Sequence, residues 1–485
     1  MRHYFPVFAM LGGVLMLFAL AMLVPLGFAW FGGDGALSAY DESIVITLAC
    51  GAFLFFFCRR ERRELQPRDG FLLVSLVWAV LPAFGMLPLL LHIPGLSVTD
   101  AYFEAVSGMT TTGATVLTDL DRLPPSINVW RCFMVLIGGM GILVLAVAIL
   151  PLLGVGGKAL FKAETPGPMK DEKLTPRIAS TARGLWAVYF VIALACFLAY
   201  RWAGMSWTDA FMQMCSTMGL GGFAAYDASF AAFDSPRIEA VAVVFMLLAG
   251  INFALYFLVW RQRSIRPLWR DPEARAYVAL MTGSVLLVTF FLLANGVYPD
   301  FTTALRYAAF NVVSIATTTG FANTDYAQWP IFAPVFMLLL CGLATCAGST
   351  GGGVKLVRAL LLLKQARREF KRIVHPRAIV PVKLGGVTVP NEILFSVLAF
   401  MLIYGVVLIG ATMLLLMSGL DVVTAFTAAV ACINNTGPGL GQVGPAGNYQ
   451  GLTDFQTWIL TATMLLGRLE IFSVLVLFTP GFWQN

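Results

Sequence analysis

Charge is scarce in this chain: only 12% of its 485 residues are Asp, Glu, Lys or Arg, against 59% hydrophobic. That is too little to cover the surface of two or three soluble domains, and the chain reads as a polytopic membrane protein. Histidine is rarer still. His3, His92 and His375 are scattered at chain or segment ends, which argues against a metal cluster. The eight cysteines lie in apolar stretches without metal-ligand pair spacing and read as core filler, not as a disulfide framework. The spans hold no convergent nucleophile, base or metal set, so an enzyme is not expected. The first apolar run, Tyr4 to Trp30, is too long for the core of a cleaved signal peptide and is read as a retained span.

The charge that is present is placed unevenly. Basic residues crowd the segments Arg59–Arg68, Lys158–Arg183, Arg261–Arg275 and Lys355–Lys383, whereas the alternate connections hold only Arg122, Arg131, Arg201, Arg237 and Arg306. The positive-inside rule then sets both termini in the cytoplasm. Because these clusters flank membrane spans, they are read as membrane-facing and not as a nucleic-acid surface.

One short phrase recurs. It reads Thr317-Thr318-Thr319-Gly320 in its clearest form, then Thr110-Thr111-Thr112-Gly113, Asn434-Asn435-Thr436-Gly437 and, more loosely, Ser216-Thr217-Met218-Gly219. The four glycines are roughly 100 residues apart, the mark of an internal repeat. Each copy follows a stretch too short to cross a bilayer, opened by a capping residue: Thr99-Asp100, Thr208-Asp209, Asp300 and Asp421. Ten residues such as Asp100 to Met109 reach roughly 15 Å as a helix, about half a hydrocarbon core. The chain must therefore turn back as extended backbone, which survives at that depth only inside protein or against water. Four such turns around one axis would make a ring of carbonyl oxygens able to replace a cation's hydration shell. Entering from outside, each half-helix would also aim its partly negative C-terminal end at the membrane centre, which suits a cation.

The expected fold is thus an all-α polytopic membrane protein with two N-terminal helices and four helix–pore-half-helix–helix repeats around one pseudo-fourfold pore. The segments are 1–69 for the N-terminal pair, then repeats at 70–177, 178–270, 271–389 and 390–485, giving ten spans and four half-helices. The candidate filter residues are Thr111, Thr112 and Gly113; Thr217, Met218 and Gly219; Thr318, Thr319 and Gly320; and Asn435, Thr436 and Gly437.

Two features point to a gate. The second span of the third repeat runs into Ala347, Gly348, Ser349, Thr350, Gly351, Gly352 and Gly353, where each internal glycine costs a helix up to about 1 kcal/mol. An unwound loop beneath the filter follows, with close helix packing through small residues as the other reading. Arg468 falls near the middle of the last expected span, where a charge must face the interior or a partner. It is read as a positive charge limiting cation flow together with the loop; a structural tie to carbonyls is the alternative. Glu104, Asn252 and Asn311 are read as hydrogen-bonding between elements, not as ion ligands.

With these motifs, the chain resembles the Trk/Ktr/HKT superfamily of potassium transporters, and within it the TrkH-type members. The resemblance covers nearly the whole chain and rests on residues 110–113, 317–320, 347–353, 434–441 and Gly467-Arg468-Leu469-Glu470. It implies potassium as the transported ion, no bound organic cofactor, a homodimer in the bacterial inner membrane, and a cytosolic nucleotide-binding ring of the TrkA type. Lys364–Arg377 is a candidate contact for that ring, or simply a loop facing lipid. A serine at the first filter glycine accompanies sodium transport in the plant branch, so glycine at 113 favours potassium. Met218 and Asn434-Asn435 depart from the threonine pattern and leave incomplete rejection of sodium open; a proton- or sodium-coupled secondary transporter is a separate alternative.

Overall fold

A computed structural model describes residues 4–59, 67–148 and 178–483; most of the basic segment Lys158–Arg183 lies outside them. The described residues are mostly helical, and their only sheet is a two-stranded hairpin pairing Lys383–Leu384 with Val387–Thr388. Six helical stretches are long and apolar enough to cross a bilayer: Phe5–Gly32, Leu37–Cys58, Arg68–His92, Arg183–Ala203, Pro272–Ala294 and Asn391–Met417. Two of them, Leu37–Cys58 and Asn391–Met417, are only 22% buried and turn most of their apolar surface outward.

Three of the other four expected spans depart from a single straight crossing or fall short of one; the fourth, Pro125–Ala148, is one helix of 24 described residues. Phe332–Leu343 has 12, about 18 Å of helix, and stops where the glycine-rich stretch begins. The span expected from Arg237 to Arg261 is instead two helices, Pro236–Ala249 and Phe253–Gln262, bent by 88°. Three contacts set that bend. Gly250 lies against Tyr277, Asn252 caps the second helix by accepting from the Ala254 amide at 2.9 Å, and the Phe253 amide donates to the Gly348 carbonyl at 3.1 Å. The last expected span is likewise broken, with Asp454–Arg468 and Phe472–Phe478 bent by 105°. Arg468 therefore ends a helix instead of sitting mid-span, and the corner runs through Glu470 and Ile471 at φ +55° and +43°.

The four short helices are Val98–Met109, Trp207–Gly219, Phe301–Ala316 and Val422–Ile433. Asp300 and Asp421 cap the third and fourth by accepting from the Thr303 and Thr424 amides, as expected. For the first two the expected opening is corrected. The caps are Ser97 and Ser206, each accepting from an aspartate amide three residues on, while their hydroxyls donate to the Asp100 and Asp209 carboxylates at 2.8 and 2.6 Å. The aspartates thus sit inside the first turn, where negative charge favours the helix N-terminus.

Each short helix is wrapped by apolar side chains, in part shared with its neighbours. Val98–Met109 packs with Trp130 and Phe18, Trp207–Gly219 with Tyr189 and Tyr200, Phe301–Ala316 with Tyr277 and Met337, and Val422–Ile433 with Leu415 and Leu460. The N-terminal pair joins through small residues: a Cβ on Gly12 would lie 2.6 Å from the Gly51 carbonyl oxygen, and one on Gly51 2.9 Å from that of Gly12. Such close backbone approach is a usual way for helices to associate in lipid.

Candidate functional site

The four short helices end in the same backbone turn. After the first, Thr111 adopts φ +56°, its amide donates to the Gly108 carbonyl and the Thr112 amide reaches back to Ser107. Thr318 (φ +62°) and Thr319 repeat this onto Ile315 and Ser314, and Asn435 (φ +55°) and Thr436 onto Cys432 and Ala431. In the second segment the pattern falls on Leu220 (φ +53°) and Gly221, bonded to Thr217 and Ser216. This is the Schellman cap, in which a left-handed residue turns the chain and satisfies the last helical carbonyls. Glycine usually fills that position; a residue with a Cβ costs about 1–2 kcal/mol there. Strain of this kind, held here at four equivalent places, persists only where the surrounding structure enforces it.

The caps fix the register, and they correct one expectation. Gly113, Gly320 and Gly437 occupy equivalent positions, but their counterpart in the second segment is Gly222, not Gly219. Thr217, Met218 and Gly219 are the last residues of the helix itself. There the Thr217 hydroxyl pairs with that of Tyr200 at 2.7 Å and the Met218 carbonyl accepts from Thr350 at 3.0 Å.

Segments in that register touch in cyclic order. A Cβ on Gly113 would lie 2.3 Å from the Gly222 nitrogen, one on Gly222 2.7 Å from the Thr319 carbonyl oxygen, one on Gly320 2.1 Å from that of Thr436, and one on Gly437 2.7 Å from that of Thr112. The four glycines line a single cavity together with Arg131 and Asp227. Thr111, Thr112, Thr318, Thr319, Asn435 and Thr436 are fully buried. Their carbonyl oxygens accept no hydrogen bond among the described residues. Buried carbonyls are nearly always paired, so a run of unpaired ones needs an explanation. Several threonine hydroxyls are already engaged: those of Thr110 and Thr112, and of Thr317 and Thr319, pair with each other at 2.7 Å, while that of Thr111 is buried without a partner among the described residues. What meets a solute is therefore mainly backbone oxygen, backed by the negative ends of four helix dipoles.

Residues 344–355 are unwound between Phe332–Leu343 and Leu356–Val374. The stretch is pinned at many points. The Thr350 hydroxyl donates to Met218, the Gly352 amide to the Thr318 hydroxyl at 2.9 Å, the Thr345 hydroxyl to the Gly352 carbonyl at 2.8 Å, and Lys355 Nζ to the Gly351 carbonyl. Gly351 and Gly352 lie against the Thr317 and Asn434 carbonyls, where a Cβ would sit at 3.1 and 2.1 Å. Of the expected gate residues, Gly351, Gly352 and Gly353 thus hold close backbone contacts and Gly348 packs against the Asn252 side chain, while Ala347 and Ser349 are buried beside them.

Arg468 meets this stretch. Its Nη1 donates to the Thr350 carbonyl at 2.9 Å and its Nη2 to the Gly138 carbonyl at 3.2 Å, and the guanidinium carbon lies 5.7 Å from the centre of the Trp78 ring. Glu470 points elsewhere, to Arg358 at 2.8 Å.

Three polar groups escaped the sequence reading. Glu273 accepts from the amides of Ala347 and Val357 at 2.8 and 3.1 Å, bridging the unwound stretch. Arg358 ties the helix after that stretch to the corner at Glu470. Arg131, assigned from sequence to an external connection, is fully buried in Pro125–Ala148 and paired with Glu104 at 2.7 Å. The available signal was a lone charge within an apolar helix. Glu104 and Asn311 do bond between elements, as expected, Asn311 reaching Asn323 at 2.6 Å. Among the described residues no group of His, Cys, Asp and Glu could hold a metal ion.

A family model described as "TrkH: Cation transport protein" matches residues 38–484. The Trk system potassium uptake protein TrkH of Salmonella typhimurium is 45% identical over 484 residues, 100% of both chains. The Trk system potassium uptake protein TrkG of Escherichia coli is 38% identical over 477 residues, 98% of both. The crystal structure of the potassium transporter TrkH from Vibrio parahaemolyticus superposes with a TM-score of 0.92 at 42% identity, covering 100% of both chains.

Proposed function

The chain belongs to the TrkH family of cation transport proteins, and from that premise we propose that it takes up potassium through a ring of backbone carbonyls contributed by residues 111–113, 220–222, 318–320 and 435–437. It is a transporter and not an enzyme. The observation that carries the filter reading is the closed order of contact, first segment to second, third, fourth and back to first. A dehydrated alkali ion needs several oxygens at once, and the unpaired carbonyls of the first, third and fourth strands supply them, whereas in the second the Gly221 carbonyl accepts from the Phe223 amide at 3.0 Å. The architecture in this reading is two N-terminal helices followed by four repeats around one pseudo-fourfold pore.

The stretch 347–353 and Arg468 act together as the gate. The stretch lies directly against the last carbonyls of the third and fourth turns, and the guanidinium bonded to it repels a cation arriving below the ring. Uneven basic charge supports both termini in the cytoplasm of a bacterial inner-membrane protein. The named relatives support a Trk-type assembly, here a homodimer under a TrkA-type nucleotide-binding ring, with Lys364–Arg377 as the contact and lipid around the spans. A second reading is incomplete rejection of sodium, favoured by the uneven ring, whose left-handed positions are Thr, Leu, Thr and Asn.

The test is purified protein in liposomes, with potassium, rubidium and sodium uptake measured separately, with and without an imposed pH gradient. Potassium and rubidium uptake well above sodium supports the filter. Equal uptake of all three refutes it, and dependence on the gradient replaces the channel reading with a coupled transporter.

A further inference from the structure

Three of the four short helices carry a grip on the strand that follows, seven or eight residues before the left-handed turn and aimed three residues past the glycine. In the third repeat Asn311 reaches Asn323. In the fourth, the Thr427 hydroxyl accepts from the Leu440 amide at 2.9 Å. In the first, Glu104 accepts from the Val116 amide at 3.0 Å. The second repeat has Gln213 at this position, fully buried, with neither amide atom partnered among the described residues. Its strand has no grip of its own.

Arg131 supplies the missing one. All five of its guanidinium N–H groups are engaged: Nε and one Nη2 donor to Glu104 at 2.8 and 2.7 Å, the other Nη2 donor to the Thr115 hydroxyl at 3.1 Å, and Nη1 to Asn128 at 3.0 Å and the Ala224 carbonyl at 3.2 Å. Thr115 lies two residues past Gly113, and Ala224 two past Gly222. One side chain thus holds equivalent positions of the first and second strands, while the Phe223 ring covers the guanidinium with its centre 4.4 Å from Cζ. The pair is fully buried, so removing either member leaves a charge unpaired in the interior.

Resting on the filter reading above, we infer that Arg131 and Glu104 are positioning residues for ion selectivity. They set the spacing of the first two carbonyl strands, and the second strand relies on its neighbour's arginine for registry. Lysine cannot replace Arg131, because an ammonium offers three donors without the planar fork.

The experiment compares potassium-to-sodium uptake ratios in liposomes for Arg131→Lys and Glu104→Gln. Glu239→Gln is the control, weakening the Arg306–Glu239 pair at 2.7 Å, which touches neither the first nor the second strand. The two variants should lower the ratio roughly fivefold or more, with the control unchanged, since loosened carbonyls admit the smaller ion. A general loss of stability would move all three alike, and melting temperatures measured in parallel identify it. If the two variants do not fold, Asn128→Ala carries the test, since it keeps the ion pair and frees one guanidinium donor: a lowered ratio supports the inference and a wild-type ratio overturns it. Wild-type ratios in folded Arg131→Lys and Glu104→Gln overturn it directly. The filter reading fails separately, if Gly113→Ser and Gly320→Ser leave the ratio unchanged.

Discussion

The carbonyl oxygen of Thr350 accepts a hydrogen bond from Arg468 Nη1 at 2.9 Å, across 118 positions of sequence. With the Thr350 hydroxyl bonded to Met218, this residue joins the unwound stretch to the second short helix on one side and to the last broken span on the other. Arg468→Ala should release the stretch and remove the repelling charge. Rubidium uptake into liposomes is expected to rise by about threefold or more, given hydrogen bonds to a charged group of about 1.5–3 kcal/mol each. Unchanged uptake would remove Arg468 from the gate.

Glu273 holds the same stretch from its flanks, with Oε1 accepting both the Ala347 and Val357 amides. Glu273→Ala leaves two buried amides unpaired and should raise basal uptake, whereas Glu273→Gln retains an accepting oxygen and should stay near wild type. Equal effects of the two variants would show that charge, not the amide bridge, matters.

The second strand offers a test of register. Gly222→Ser would push a side chain onto the Thr319 carbonyl and should lower the potassium-to-sodium ratio. Thr217→Val removes only the hydroxyl contact with Tyr200, costing about 1 kcal/mol of stability with the ratio intact. The reverse outcome would restore the register suggested by the motif.

The caps of the third and fourth short helices predict a pH effect. Hydrogen bonds from Thr302 and Thr303 hold the Asp300 carboxyl below its ordinary range, and the Thr424 amide and hydroxyl do so for Asp421. A depressed folded pKa means stability present above the unfolded value, about 3.8, and lost as pH falls through the folded one. Asn is an equally good cap without a titrating proton. The double variant Asp300→Asn/Asp421→Asn should therefore lose less melting temperature than wild type between pH 6 and roughly pH 3. Parallel curves would refute the assignment.

Much of this fold is legible in sequence because a bilayer leaves few options: long apolar runs, short ones with a capping Asp, and glycines at regular intervals. The second strand was missed for a physical reason. The turn at Leu220 is a backbone feature that needs no particular side chain, so Leu220-Gly221-Gly222 does not stand out beside the hydroxyls of Ser216 and Thr217. The adjoining Gly221-Gly222 was the readable signal. The two bends were hidden because Gly250 and Glu470 break helices through tertiary contacts, with Tyr277 and Arg358 respectively. Arg131 was misplaced because charge counting treats any arginine near a span end as solvated, while its partner Glu104 lies 27 residues away.

The corner after Arg468 has one more effect. A guanidinium at the last turn of Asp454–Arg468 stands at the electronegative pole of that helix, which compensates its charge without a carboxylate. None is bonded to it among the described residues. Swinging the side chain aside therefore separates no pair of opposite ions; it exchanges two carbonyl acceptors, a far smaller barrier than opening a buried ion pair.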